Sequence, residues 1–220
     1  YLNTSGQPLY KRGYRQKIHK AAINESLAAG LIKLAGWNKK DAFYDPMCGS
    51  GTFVIEAATM ALDIPPRLES RPYAFINYFN YDKNLWSELK LSAYSKKYDN
   101  MPLIWGSDLL DENIEMAEEA AIQAKIDKYI TFYKQSVKYF RPKFKSGFII
   151  TNPPYGQRIG EEEELEYLYS ELNIKFSEHC KNHNIYMIVP DIPYLKSISL
   201  PIKSKQNIRN GNLDCNFIQY

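Results

Sequence analysis

At 220 residues, 45% hydrophobic and 24% charged, the chain has the composition of a globular protein built as one large domain, and its net charge of +3 permits a nucleic-acid partner without requiring one. The three cysteines, Cys48, Cys180 and Cys215, are odd in number and far apart. That spacing argues against a disulfide framework or a paired-thiol zinc site and fits a reducing compartment such as the cytoplasm. No apolar run approaches the roughly 20 residues of a membrane span, and no charged-then-apolar signal opens the chain.

Residues 10–20 read YKRGYRQKIHK, with Lys11, Arg12, Arg15, Lys17, His19 and Lys20 set among Tyr10 and Tyr14. This is the densest basic stretch, and it suits phosphate binding and base stacking or, equally, a solvated lead-in to a helix. Ile23, Leu27, Leu31 and Leu34 recur at helical spacing before Gly36, which predicts a helix over about 19–35. A short strand over 42–45 follows, then the turn Pro46-Met47-Cys48-Gly49-Ser50-Gly51-Thr52, then a mostly apolar helix over 53–62 that Pro65 and Pro66 end. Strand, glycine loop and buried helix open a nucleotide-binding α/β unit.

Residues 67–81 are aromatic-rich and irregular, and 82–98 can form a helix carrying Leu85, Trp86 and Leu89. A second unit has a strand over 102–106, Ser107-Asp108 at its end, and a helix over 112–124. Asp111 is placed as its N-cap, with Ile114, Ala117, Ala121 and Ala124 facing inward. Residues 129–133 and 148–151 read as the third and fourth strands. An acidic helix start over 161–164 leads into Leu165, Leu168, Leu172 and Phe176, and 185–189 is a fifth strand. Asn210-Gly211 marks the turn of a terminal hairpin. Alternating strands and helices predict an α/β fold: a Rossmann-like, doubly wound sheet of seven strands, mostly parallel, with an antiparallel terminal hairpin. The domain expectation is a single unit over 1–220, with 1–40 as basic lead-in and helix and 41–220 as the ligand-binding core.

In such a sheet the fourth strand lies beside the first, so their C-terminal loops share a crevice with the loop after the second. The glycine loop 45–52 has neither the G-x-G-x-x-G of dinucleotide binding nor the lysine of a P-loop, so it favours an adenosine moiety without a pyrophosphate. Asp108 at a strand end suits two ribose hydroxyls or, equally, a helix cap. After the apolar run 148–150 comes Thr151-Asn152-Pro153-Pro154-Tyr155-Gly156, a stiff loop in which the prolines forbid regular structure. Its amide and backbone carbonyls can accept both N–H bonds of a planar amine while Tyr155 stacks on the ring. This pulls the nitrogen toward tetrahedral geometry and frees its lone pair for in-line attack on a methyl group. The motif serves a guanine or an adenine amine alike. His19, His179 and His183 have no carboxylate or thiol partners at ligand spacing, so no metal site is expected.

Together SGQPLYKRGYR (5–15), DPMCGSGTFVIEAA (45–58), GSD (106–108), TNPPYGQRIG (151–160) and the tail NIRNGNLDC (207–215) resemble the S-adenosylmethionine-dependent guanine-N2 RNA methyltransferases, whose catalytic domain usually follows a THUMP-type RNA-binding region. The segment around Phe75, Phe79 and Trp86 is similar to the branch acting on large-subunit ribosomal RNA. The resemblance implies a class I methyltransferase fold, S-adenosylmethionine as cofactor and ribosomal RNA as partner. It assigns Asp45, Pro46, Met47, Cys48, Gly49, Ser50, Gly51, Thr52, Asp108, Leu109 and Ser136 to the cofactor, and Asn152, Pro153, Pro154 and Tyr155 to catalysis on the base. Ser136 stands where the family usually has an acid reaching the adenine amine, Ala22 where proline is common and Asn24 where a basic residue is common. The expectation is a fragment without the RNA-binding region, which would bind cofactor with weak substrate recognition. The rivals are an N6-adenine methyltransferase, a nicotinamide-linked dehydrogenase, which the missing third glycine disfavours, and a silent S-adenosylmethionine-binding module.

Overall fold

The structure, a computed structural model, describes residues 2–15, 23–65, 73–94, 100–156 and 162–220. Twelve regular elements follow one another in these residues: α1 (Glu25–Leu34), β1 (Phe43–Asp45), α2 (Thr52–Ala61), α3 (Lys83–Tyr94), β2 (Ile104–Asp108), α4 (Asp111–Gln123), β3 (Thr131–Lys134), β4 (Gly147–Thr151), α5 (Glu162–His179), β5 (His183–Val189), β6 (Ser204–Asn210) and β7 (Leu213–Gln219). The strands form one sheet in the order β3-β2-β1-β4-β5-β7-β6. The first five are parallel, and β7 runs antiparallel to both β5 and β6. The doubly wound sheet read from the sequence is therefore the sheet observed, with its direction reversing beside β1.

Both faces of the sheet are covered. On one side Ala28, Leu31 and Ile32 of α1, Phe53, Val54, Ala57 and Ala58 of α2 and Ala120 and Ala121 of α4 pack on Phe43, Ile104 and Ile150. On the other, Tyr169, Leu172 and Phe176 of α5 pack on Tyr44, Ile149 and Met187. This explains why the central strands read as nearly continuous apolar runs rather than alternating ones.

Several boundaries move from their predicted places for local reasons. α1 begins at Glu25, where Asn24 Oδ1 accepts from the Ser26 and Leu27 amides as an N-cap. Residues 16–22, part of the predicted helix and of the basic stretch, lie outside the described residues. Leu34, placed in the buried stripe, is 51% exposed, and Ile32 takes its role. Asp111 does not cap α4: Leu110 occupies that position without a side-chain bond, and Asp108, two residues earlier, accepts from the Leu110 amide instead. The hairpin turn falls one residue later than its sequence signal. Asn210 pairs with Leu213, so Gly211 and Asn212 are the central residues, with Gly211 at φ 63°. Among the described residues no helix is long and apolar enough to cross a membrane.

Candidate active site

The register of the sheet brings the ends of β1, β2 and β4 to one edge, and the loops leaving them define a crevice. After Asp45 the chain turns through residues 46–51, held to β2 by the Cys48 amide on the Ser107 carbonyl (2.8 Å) and by Ser107 Oγ on the Pro46 carbonyl (3.3 Å). Two glycines do different work there. Gly51 (φ 75°) is pressed against α4, where a Cβ would stand 2.9 Å from Ala117 Cβ, while Gly49 (φ 51°) faces open space. Within the loop Pro46, Cys48, Ser50 and Thr52 are buried, and Met47 and Gly49 are partly accessible.

Two carboxylates fix this loop from below. Asp108, 8% exposed, accepts the Gly49 amide at Oδ2 (2.9 Å) and, at Oδ1, the Leu110 amide (3.1 Å) and Asn113 Nδ2 (2.8 Å). It thus joins the glycine loop to the first turn of α4. Asp45, 2% exposed, accepts Thr151 Oγ1 (2.8 Å) and the Met47 amide (3.2 Å) at Oδ1. Burial pushes its carboxyl up to about 7, against the pull of its two donors and with help from the Asp108 charge. Burial, Asp45 and Asp108 together raise the Cys48 thiol well above its ordinary value, so it stays protonated and packs beside Gly106. Leu109 is exposed at the end of β2. Ser136 is half-buried just after β3, next to Gln135, whose amide donates to the Asp108 carbonyl (2.8 Å).

The loop after β4 is rigid for the reasons its sequence gives and for one the sequence reading missed. Pro153 is buried, Pro154 exposed, and Asn152 and Tyr155 half-buried, with Asn152 Oδ1 shielded from solvent. Burial raises the Tyr155 phenol, which therefore remains neutral. α5 supports the loop with one face: Tyr169 Oη donates to the Pro154 carbonyl (3.3 Å), and Leu165, one turn earlier, sits so close to Gly156 (φ 76°) that a Cβ there would stand 2.7 Å from Leu165 Cδ1. Tyr169 is fully buried. Tyr169 continues the spacing Leu165, Leu172, Phe176, which was the signal available for it, whereas Leu168 is only partly buried. Thr151 and Asn113 were also missed, because a threonine closing a strand and an asparagine in a first helical turn have ordinary local explanations. Residues 157–160 of the motif lie outside the described residues.

Within the described part of the basic lead-in, Arg12 and Arg15 are turned onto the protein rather than out to water. Arg12 places Nε and Nη2 on Glu56 Oε1 and Oε2 (3.3 and 3.4 Å), and Tyr14 Oη donates to Glu56 Oε1 (3.0 Å). Arg15 Nε pairs with Glu25 (3.3 Å) and Arg15 Nη2 reaches the Ile23 carbonyl. Side-chain exposures of 11% for Arg12 and 4% for Arg15 leave little charge facing water. Neither expectation for these residues, phosphate binding or a solvated lead-in, describes them; Lys17, His19 and Lys20 lie outside the described residues.

A family model described as the RMKL-like methyltransferase domain matches residues 12–219. The chain belongs to this family. It is 38% identical over 98% of its length to the ribosomal RNA large subunit methyltransferase K/L of Psychromonas ingrahamii, covering 29% of that protein. SMU.472, a candidate methyltransferase crystallised with S-adenosylhomocysteine, superposes with a TM-score of 0.88 at 29% identity, over 99% of this chain and 56% of that one. A protein described as a predicted N6-adenine-specific DNA methylase from Listeria monocytogenes gives 0.86 at 30% identity, over 99% and 56%. This methyltransferase domain thus spans under a third of the curated relative and just over half of the solved ones. The family match takes in the glycine loop, Asp108 and the 152–155 loop, so the whole crevice lies within the shared domain.

Proposed function

We propose that this domain transfers a methyl group from S-adenosylmethionine to the exocyclic N2 amine of a guanine in large-subunit ribosomal RNA, in the cytoplasm. The observation that carries the reading is the 2.8 Å bond from Thr151 Oγ1 to Asp45 Oδ1. It ties the residue before the amine-accepting loop to the floor of the glycine loop, and so sets the separation of methyl donor and acceptor. The named relative and the S-adenosylhomocysteine complex support the RNA class and the cofactor. The loop itself serves guanine and adenine alike, and the family resemblance elsewhere in the chain favours guanine.

The residues of the crevice fit this cofactor. Gly49 leaves room for a ligand to approach the backbone, and Asp108 receives three donors on a carboxylate that offers about four lone-pair sites, leaving capacity for a ribose hydroxyl. Asp45 and Asp108 favour a cationic ligand. When bound, S-adenosylmethionine supplies a methyl group activated by a sulfonium. Asn152 Oδ1 and the Pro153 carbonyl accept the two N–H bonds of the amine, and Tyr155 stacks on the base. Pro46, Met47, Cys48, Ser50, Gly51 and Thr52 shape the loop, while Leu109 and Ser136 flank the adenine side. The chain acts as one catalytic domain, 1–40 as lead-in and 41–220 as core.

Incubation with methyl-labelled cofactor and large-subunit ribosomal RNA, followed by nucleoside digestion, tests this reading. N2-methylguanosine is expected, with Asn152→Ala lowering kcat by about 10²–10³-fold, as for loss of one preorganised polar contact to the reacting group. Undiminished transfer by Asn152→Ala would overturn its role. Labelled N6-methyladenosine would favour the second reading, an adenine methyltransferase, which the Listeria protein's description supports.

A further inference from the structure

A second basic region runs from just before β3 to the start of β4, and its cations are not part of the crevice described above. Residues 128–146 carry Lys128, Lys134, Lys138, Arg141, Lys143 and Lys145 and not one acid, so with a total of +3 the rest of the chain carries a net −3. All six cations are exposed. Only Lys134 has a carboxylate partner among the described residues, Asp111. Three aromatic side chains interleave with them and face water: Tyr133 (51% exposed), Tyr139 (62%) and Phe144 (51%). Lys138 Nζ lies 4.8 Å from the centre of the Tyr139 ring.

Edge protection accounts for little of this. β3 is an edge strand, and lysines on such strands deter pairing with another sheet. Of the six, however, only Lys134 belongs to β3. Lys138, Arg141, Lys143 and Lys145 lie beyond it, where there is no ladder to guard. The strip also adjoins the crevice. Its upper end is bound to Asp108 through the Gln135 amide, and Val137 and Phe140 pack in the same cluster as Tyr169, which holds the Pro154 carbonyl. From α5, Tyr167 and Glu171 act on Lys138 electrostatically.

We propose that residues 138–145, with Tyr133, Tyr139 and Phe144, form a docking strip for the unpaired RNA that flanks the methylated nucleotide, the cations meeting phosphates and the rings meeting bases. This rests on the RNA methyltransferase reading above. Exposed rings spaced among unpaired cations suit single-stranded RNA better than an acidic protein, which would need charge but not stacking faces.

The test compares the wild-type chain with the quadruple variant Lys138→Ala, Arg141→Ala, Lys143→Ala, Lys145→Ala, using a fluorescein-labelled fragment of large-subunit ribosomal RNA and anisotropy over a salt series. For single strands each lost phosphate contact lowers the slope of log Kd against log salt by about 0.7, so a fall of about 2–3 and at least a tenfold weaker Kd at 0.1 M salt are expected. Tyr139→Ala with Phe144→Ala should weaken binding with no change of slope. Lys205→Ala, at the opposite edge of the sheet, should change neither. Calorimetric S-adenosylmethionine binding and thermal melting should be the same in all four proteins. A wild type that methylates RNA alongside a quadruple variant of unchanged Kd and slope overturns the strip alone and turns attention to an acidic protein as its partner. A wild type that binds cofactor but neither binds nor methylates RNA overturns both proposals.

Discussion

Two stretches of this chain are rich in cations and aromatic rings, and they have opposite fates. In the lead-in, Arg12 and Tyr14 converge on Glu56 and Arg15 on Glu25, so their charge is consumed inside the protein and fastens the segment to α2 and α1. From β3 to β4 the cations face water and, among the described residues, only Lys134 has a carboxylate partner. Composition does not separate the two. What separates them is whether a buried acid lies opposite, because a carboxylate taken out of water demands a partner and a solvated lysine does not.

The largest effect should come from removing the acid that the lead-in serves. Glu56→Ala leaves Arg12 facing an apolar helix without its partner, and a loss of about 3–5 kcal/mol in denaturant unfolding is expected for breaking a buried pair from one side. A loss below 1 kcal/mol would mean that the lead-in is as solvated as the strip. Asp45 sharpens the contrast, being as buried as Glu56 but having, among the described residues, only Thr151 and Met47 as donors and no cation. Its carboxyl, pushed up to about 7 from 3.8, binds its proton more tightly folded than unfolded. In the cofactor-free protein that contribution to stability is full below about pH 4 and lost as pH rises through about 7. A cationic cofactor favours the ionised form, so its affinity should fall by up to tenfold per pH unit below about 7 and level off above it. Calorimetry between pH 5.5 and 8.5 checks this, and Asp45→Asn should flatten the profile.

Smaller effects follow. Tyr14→Phe removes one buried bond to Glu56 while keeping the ring, for about 1 kcal/mol by thermal or denaturant melting. Alanine at Lys143 or Lys145 should change stability by no more than about 0.5 kcal/mol, since exposed side chains away from special features contribute little. A larger loss would show that these lysines too have a structural partner.

Much of the site was legible. The residues of the loop after β4 set their own conformation, prolines by fixing φ and removing donors, and the glycine loop shows itself by residues that tolerate positive φ. What failed to show was support from a distance. Tyr169 looked like another residue of an amphipathic helix, although it holds the Pro154 carbonyl. Asp108 looked like either a ribose ligand or a cap, and it binds both the Gly49 amide and the start of α4, a double use visible only once two consecutive units are folded together. The helix stripe placed Leu34 inside because spacing alone does not say where a neighbouring element ends.

The sequence by itself determined the order of strands and helices, the crevice between β1, β2 and β4, and the stiff loop after β4, because periodicity, proline and glycine act over a few residues. The tertiary structure decided which charges are spent and which remain. Arg12 meets Glu56 across 44 positions and Thr151 meets Asp45 across 106, and such pairings depend on how the crossovers lay the elements side by side, not on any local preference.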